Sequence, residues 1–304
     1  MAIAAFAPSV GPAADVQQRR GGAIALVLLL PGILYLALFF LVPLVSLVLT
    51  SLQAPSEVNF GTYDNAFRWQ NYTEVVGQYW TQIWRSFSFA LLATIFALLF
   101  SYPLAYFIGV KARRWPALQS LMLVLVIAPF FISFLLRTLA WKQILSDEGV
   151  VVTALKAVSL LGPHDHITGT PVAVVFGLTY NFIPFMCLPL YAVLERLDLR
   201  YIEAGSDLYA NAFTTFRTVT IPLSLPGIVS GTLLTFIPAS GDYINASSEF
   251  LGGTSSTMIG NVIQSNFLVQ QNYPAAAALS IVLMATIILI VGVYVRRSGT
   301  DDLL

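Results

Sequence analysis

Between Gly22 and Leu49 the chain carries no charged side chain. That run is longer than the ~20 residues a helix needs to cross the hydrocarbon of a bilayer. Inside hydrocarbon no water satisfies backbone N–H and C=O groups, so such a stretch must bond to itself, as a helix does. Apolar runs almost free of charge recur at about 84–110, 118–139, 171–194, 223–244 and 274–295. The pattern predicts an all-α polytopic membrane protein with six transmembrane helices in a single domain over residues 1–304. Composition agrees: 57% of residues are hydrophobic and 10% charged, against about 25% charged in a typical soluble domain. The formal net charge is zero, which removes any basis for nucleic-acid binding. Membrane lipid is the expected surrounding.

Basic residues orient the spans. With the amino terminus inside, the inner segments hold Arg19, Arg20, Lys111, Arg113, Arg114, Arg196, Arg200, Arg217, Arg296 and Arg297, ten of the fifteen Lys and Arg. Arg68, Arg85, Arg137, Lys142 and Lys156 fall on outer connections or near outer helix ends. Both termini are therefore expected in the cytoplasm. Arg19 and Arg20 ahead of an apolar core have the order of a signal peptide, but the run is too long and lacks a small-residue cleavage site. The first span is expected to be retained.

The connections carry little chemistry. Residues 51–83 are mixed and aromatic, and VVTALKAVSLL has the period of a short amphipathic helix. His164 and His166 sit among turn formers with no third ligand at metal spacing, and the single cysteine, Cys187, lies in an apolar run. Neither points to a metal or redox site. Pro43, Pro103, Pro129, Pro184, Pro189, Pro226 and Pro238 fall within spans, where neighbouring helices or cavity water must take up the freed carbonyls. Their density favours a bundle that moves.

The longest polar interruption between spans is 197–222, LDLRYIEAGSDLYANAFTTFRTVTIP. It reads as helix, turn, helix. Asp198 caps the first helix and Asn211 the second, Ala212, Phe213, Phe216 and Val219 share a face of the second, and Pro222 closes it. An amphipathic pair of this kind either docks another protein or lies on lipid headgroups. Topology places it on the cytoplasmic side, which favours docking.

Within this stretch, Glu203-Ala204-Gly205, Tyr209, Val219, Ile221 and Pro222 resemble the EAA loop of permease subunits from binding-protein-dependent ABC importers. That pattern is Glu-Ala-Ala, three residues, Gly, nine residues, Ile, one residue, Leu-Pro. Gly205 stands for the second Ala and Tyr209 for the Gly, a position where Tyr resists a left-handed turn. SFLLRTLAWKQILSDEGVV (133–151), TYNFIPFMCLPLYAVLERLD (179–198) and FLGGTSSTMIGNVIQSNFLVQQNYPAAAALS (250–280) are similar to the first permease subunit of spermidine/putrescine importers. With the loop, these blocks cover about half of the chain.

The resemblance implies a type I ABC importer permease fold. It further implies a second permease subunit, a homodimer of ABC ATPase subunits and an extracytoplasmic solute-binding protein, in a bacterial cytoplasmic (inner) membrane. Glu203, Ala204, Gly205, Asp207, Tyr209 and Pro222 become the residues that couple the chain to the ATPase, with Glu203 engaging a basic residue of that partner. Bare spacing allows Glu203 to pair with Arg200 instead, or with solvent. The chain itself is not expected to be an enzyme: no GxxxxGK[ST] phosphate loop occurs in it, so ATP and Mg belong to the partner, and the chain needs no cofactor.

A flexible polycation needs carboxylates, carbonyls and aromatic faces along its path. Asp242, Tyr243, Glu249, Tyr180 and Asn181 suit that chemistry, although Asp242 and Glu249 equally suit a place where a helix meets water. Arg137 would repel a cation and is read as structural. Other readings stay open: an importer permease for another small solute (amino-acid-like, phosphonate or another organic cation), or an ion-coupled secondary transporter. The latter normally shows more carboxylates near mid-span. A membrane-embedded enzyme would need a catalytic cluster, and none is visible.

Overall fold

The computed structural model describes residues 22–56, 61–207 and 211–297. The chain divides into two compact units, Met1–Leu47 and Val48–Leu304. In the first lie α1 (Gly22–Leu36), a π-helical turn, Ala37–Leu41, and the start of α2 (Val42–Ser51). Pro31 lies within α1 without ending it.

The second unit begins with a feature that the apolar runs do not announce. β1 (Gln53–Pro55) pairs antiparallel with β2 (Tyr63–Asn65), Ala54 opposite Asp64. Asn71 holds this hairpin to the next helix by donating from Nδ2 to the carbonyls of Ser51 and Gln53, both at 2.8 Å.

α3 (Gln70–Tyr106) starts inside the stretch expected to be a connection and is kinked at Tyr79. Then follow α4 (Pro116–Ile127), α5 (Phe134–Ile144), the short α6 (Val150–Ala157) and α7 (Pro171–Arg196). α8 (Arg200–Asp207), α9 (Ala212–Thr215) and α10 (Ile221–Leu223) make up the polar interruption. α11 (Leu225–Ser240), α12 (Ile259–Gln264) and α13 (Tyr273–Arg297) complete the chain.

Among the described residues, four helical stretches are long and apolar enough to cross a membrane: Leu28–Ser51, Gln70–Arg114, Pro171–Arg196 and Tyr273–Arg297. The count rises to six when two bent pairs are each taken as one span. The α4–α5 pair bends by 96°. Pro129 tightens residues 128–131 into a 3₁₀ turn, and Ile132 is extended (φ −106°, ψ 135°) before α5 begins. The α10–α11 pair bends by 66°, and its break falls at Ser224. Pro222 therefore does not end its helix. A π-helical turn, Phe216–Thr220, precedes it, and Pro222 lies inside the helical run Ala212–Leu223, two residues before the break.

The core lies where α3, α7 and α11 meet. On α3, Ala90, Ala93, Ala97, Ser101 and Ala105 follow one another at helical spacing and are fully buried. Small residues let helix backbones approach closely where apolar lipid supplies no hydrophobic drive. α7 answers with a stripe at intervals of four: Val174, Leu178, Phe182, Met186, Leu190 and Leu194. The two helices run parallel, with Ser101 Oγ donating to the Ile183 carbonyl at 3.1 Å and Gly109 meeting Leu194. α11 runs antiparallel to α7. A Cβ on Gly227 would lie 3.1 Å from Leu190 Cα, and one on Gly231 would lie 2.7 Å from Met186 Sδ. That Gly-x-x-x-Gly contact fixes the third helix of the core.

Candidate functional site

At one end of this bundle α8, α9 and α10 form a platform. Asp198 Oδ1 accepts from the Arg200 N–H (3.0 Å) and Asn211 Oδ1 from the Thr214 N–H (2.7 Å). Each side chain thereby satisfies a donor that its helix start leaves free. Leu199, Ile202, Phe216 and Ile221 turn inward onto the core cluster of Tyr102, Ala105, Ile108 and Leu194. Phe216 sits edge-on to both Tyr102 (5.4 Å) and Tyr106 (5.8 Å). The Tyr102 hydroxyl meets Ser224 Oγ at 2.7 Å, at the break between α10 and α11.

The other face of the platform points away from the bundle. Tyr201, Glu203, Ala204 and Phe213 are exposed on it, and Phe213 is 71% exposed. Glu203 forms no ion pair with Arg200 among the described residues. Gly205 faces Thr215, and a Cβ there would stand 2.9 Å from Thr215 Cγ2 and Oγ1. The small residue is thus demanded by a close approach of α8 to α9. Asp207 is the last residue of α8, Pro222 is exposed, and Tyr209 lies outside the described residues.

Beneath the platform, Arg113 reaches the end of α7. Its Nη1 donates to the Leu197 carbonyl (3.1 Å) and its Nη2 to the Leu194 carbonyl (2.5 Å). Nη2 and Nε also contact the carbonyls of Glu195 and Gly109. The carbonyls of Leu194, Glu195 and Leu197 close the C-terminus of α7, where a cation is favoured. In the sequence Arg113 is one of three clustered basic residues, and nothing there singles it out.

In the amino-terminal half of α7 a polar network joins three elements. Asn181 Nδ2 donates to Thr138 Oγ1 (3.2 Å, α5) and to Asn245 Oδ1 (3.1 Å, beyond α11). Asn245 in turn donates from its backbone N–H to Asp242 Oδ1 (2.8 Å) and from Nδ2 to Asp242 Oδ2 (3.1 Å). Asp242 is 7% exposed and follows the end of α11, so both of its oxygens serve a buried turn. The Asp-x-x-Asn spacing of 242–245 signals such a turn, while Thr138 carries no comparable sign.

The remaining path candidates are dispersed. Tyr180 packs edge-on against Trp141 (5.1 Å). Tyr243 is exposed, and its carbonyl accepts from Asn261 Nδ2 (2.6 Å). Glu249 lines a cleft of about 550 Å³ together with Thr254, Asn261, Gln264 and Ser265. Its carbonyl accepts from Lys142 Nζ at 2.6 Å. Asp242, Tyr180 and Asn181 lie away from that cleft. Arg137 is buried with its guanidinium 5.7 Å from the Phe134 ring, and its Nε and Nη1 have no partner among the described residues. Cys187 is buried in the core beside Leu190.

Residues 66–298 match the family described as binding-protein-dependent transport system inner membrane component. The chain belongs to that family. Among its relatives, the spermidine/putrescine transport system permease protein PotB of Haemophilus influenzae is 37% identical over 87% of this chain and 90% of its own length. The protein of that name from Escherichia coli is 35% identical over 87% and 94%. The inner membrane ABC transporter permease protein YdcU of E. coli is 30% identical over 73% and 72%. A bacterial ABC transporter involved in the import of the acidic polysaccharide alginate has the same fold (TM-score 0.65, 92% of this chain and 96% of that chain) at 16% identity. As a member of the inner membrane component family, the chain is a membrane transport protein with a type I ABC importer permease fold. The platform at 197–222 is where this permease carries the EAA-like residues.

Proposed function

We propose that this permease is one of two membrane subunits of an ATP-driven importer that moves spermidine and putrescine across the bacterial cytoplasmic membrane by alternating access. The observation that carries the reading is the end-to-end similarity to spermidine/putrescine permeases, which spans 87% of this chain. Both termini are cytoplasmic in this reading, and so is the platform of α8–α10.

Each part of the chain then has a task. ABC ATPase subunits, a homodimer holding ATP and Mg, dock on the exposed face around Glu203, Ala204 and Phe213, and Glu203 meets a basic group of that partner. The close fit of Gly205 on Thr215 and the seat of Phe216 between Tyr102 and Tyr106 make the platform stiff enough to transmit a push. The bends at α4–α5 and α10–α11 are the places where the bundle can give. A solute-binding protein delivers the cargo at the opposite end, where Glu249, Tyr243, Asp242, Tyr180 and Asn181 offer carboxylates, carbonyls and an aromatic face. The chain performs no covalent chemistry and needs no cofactor of its own.

One observation favours a second reading. The buried guanidinium of Arg137, whose Nε and Nη1 have no partner among the described residues, is a poor neighbour for a polycation and a good one for a solute that bears a carboxylate, such as an amino-acid-like molecule. Purifying the complete assembly and measuring which loaded solutes stimulate its ATPase tests both. Stimulation by spermidine or putrescine supports the first. Stimulation by a carboxylate-bearing solute, with polyamines inert, replaces it.

A further inference from the structure

The platform is tied by the chain itself to α7 on one side and to the α10–α11 bend on the other. No covalent route of comparable length leads from it to the second bend, between α4 and α5. What bridges that gap is Arg113. It lies in the turn between α3 and α4, and through Leu194, Glu195 and Leu197 it holds the last carbonyls of α7 immediately before α8 begins. A second contact reinforces it. Gly109 lies against the same carbonyl-bearing residues, and a Cβ on it would stand 3.1 Å from Leu194 Cβ and 3.2 Å from Glu195 N.

We infer that Arg113 is a positioning residue that makes the end of α7, with α8 attached, and the turn leading into α4 move as one body. Displacement of the platform then reaches the α4–α5 bend as well as the α10–α11 bend. The inference rests on the reading of α8 as the ATPase-docking helix.

The chemistry is particular to arginine. A guanidinium presents five donors in a planar fork and can hold several carbonyls at once, whereas a lysine ammonium is a point charge on a flexible stem. Lys111 and Arg114 are exposed, while Arg113 is half-buried and turned onto the helix end. If Arg113 served only to mark the cytoplasmic side by its charge, a lysine would replace it without effect. If it served only to cap α7, its loss would lower the yield of the assembly and every activity together.

The test compares wild type, Arg113→Lys and Gly109→Ala in the complete assembly, reconstituted with the binding protein. Three quantities are read: ATPase retained on purification, ATP hydrolysis without binding protein, and solute taken up per ATP. The expected result for Arg113→Lys is full retention of the ATPase, hydrolysis near the wild-type rate without binding protein, and uptake per ATP lower by on the order of tenfold. Gly109→Ala, which wedges the same contact from the other side, should move the ratio in the same direction. Wild-type uptake per ATP in both variants overturns the inference. So does a parallel fall of yield, hydrolysis and uptake. If the wild-type assembly retains no ATPase, the docking reading fails first, and the link falls with it.

Discussion

Gly205 and Thr215 pack so closely that a methyl group on the glycine would stand 2.9 Å from two atoms of the threonine side chain. The family pattern has Ala at this position, and Thr215 explains why this chain does not. Gly205→Ala should cost on the order of 1 kcal/mol, the range of mild overpacking. Thr215→Ala in the same chain should restore the loss, because it removes both clashing atoms and a buried hydroxyl without a partner among the described residues. Thermal unfolding midpoints of the four proteins of this cycle, in detergent, measure it. Additive effects of the two changes would contradict the account.

Glu203 stands exposed on the platform with no ion pair among the described residues, so its replacement should leave the permease itself intact. Glu203→Arg is expected to abolish uptake and to weaken retention of the ATPase, with unchanged levels of chain in the membrane. Immunoblots of membranes, together with co-purification, separate these outcomes. Wild-type uptake and retention would remove Glu203 from the coupling face.

Tyr102 anchors α3 to the α10–α11 break through a 2.7 Å hydrogen bond with Ser224. Tyr102→Phe keeps the ring that Phe216 packs against and deletes only the hydroxyl. Ser224 retains its bond to the Ile221 carbonyl, so the loss should amount to about 0.5–1.5 kcal/mol. Chemical unfolding of the purified permease reads it directly.

Asp242 offers a way to separate architecture from solute contact. Asp242→Asn keeps an oxygen for the Asn245 N–H but sets its Nδ2 against Asn245 Nδ2, which the carboxylate accepts from, so it should cost about 1–3 kcal/mol of stability. If the carboxylate also touches a cationic solute, the KM for uptake should rise by on the order of tenfold, the worth of one charge-assisted contact. An unchanged KM would confine Asp242 to holding its turn.

Asp147, before α6, and His166, after it, pair at 2.8 Å with both side chains exposed. The hydrogen bond from the imidazole holds the Asp147 carboxyl below its ordinary value of 3.8. A depressed carboxylate contributes its local stabilisation above the ordinary value and loses it as pH falls through the lowered one. Titration of Asp147, followed by infrared absorption of the labelled carboxyl, should therefore move upward toward 3.8 in His166→Ala. The absence of any movement would show that the pair does not persist in solution.

Much of this architecture is legible in the residues because the bilayer leaves few choices. An uncharged run longer than a membrane is thick must be helical, and Asp198 and Asn211 announce the two helix starts of the platform through side-chain chemistry that acts within three residues. Proline was less informative. Pro103, Pro184, Pro189 and Pro238 lie inside continuous helices, while the break near Pro129 comes with the extended Ile132 after it, and Pro222 precedes its break instead of making it. Whether a freed carbonyl finds another donor depends on which helix lies beside it, and that is tertiary information. The same limit hides Arg113 and Thr138. Their partners are far away in sequence or on other helices, so nothing local separates Arg113 from Lys111 and Arg114.

In the proposed function this chain passes polyamines only as part of an ATP-driven assembly. The most direct test is accumulation of radiolabelled spermidine in liposomes holding the permease pair and the ATPase, with the binding protein outside and ATP inside. The account predicts accumulation that requires ATP, the ATPase and the binding protein, and that is lost in Glu203→Arg. Accumulation driven by an ion gradient with the ATPase omitted would contradict it.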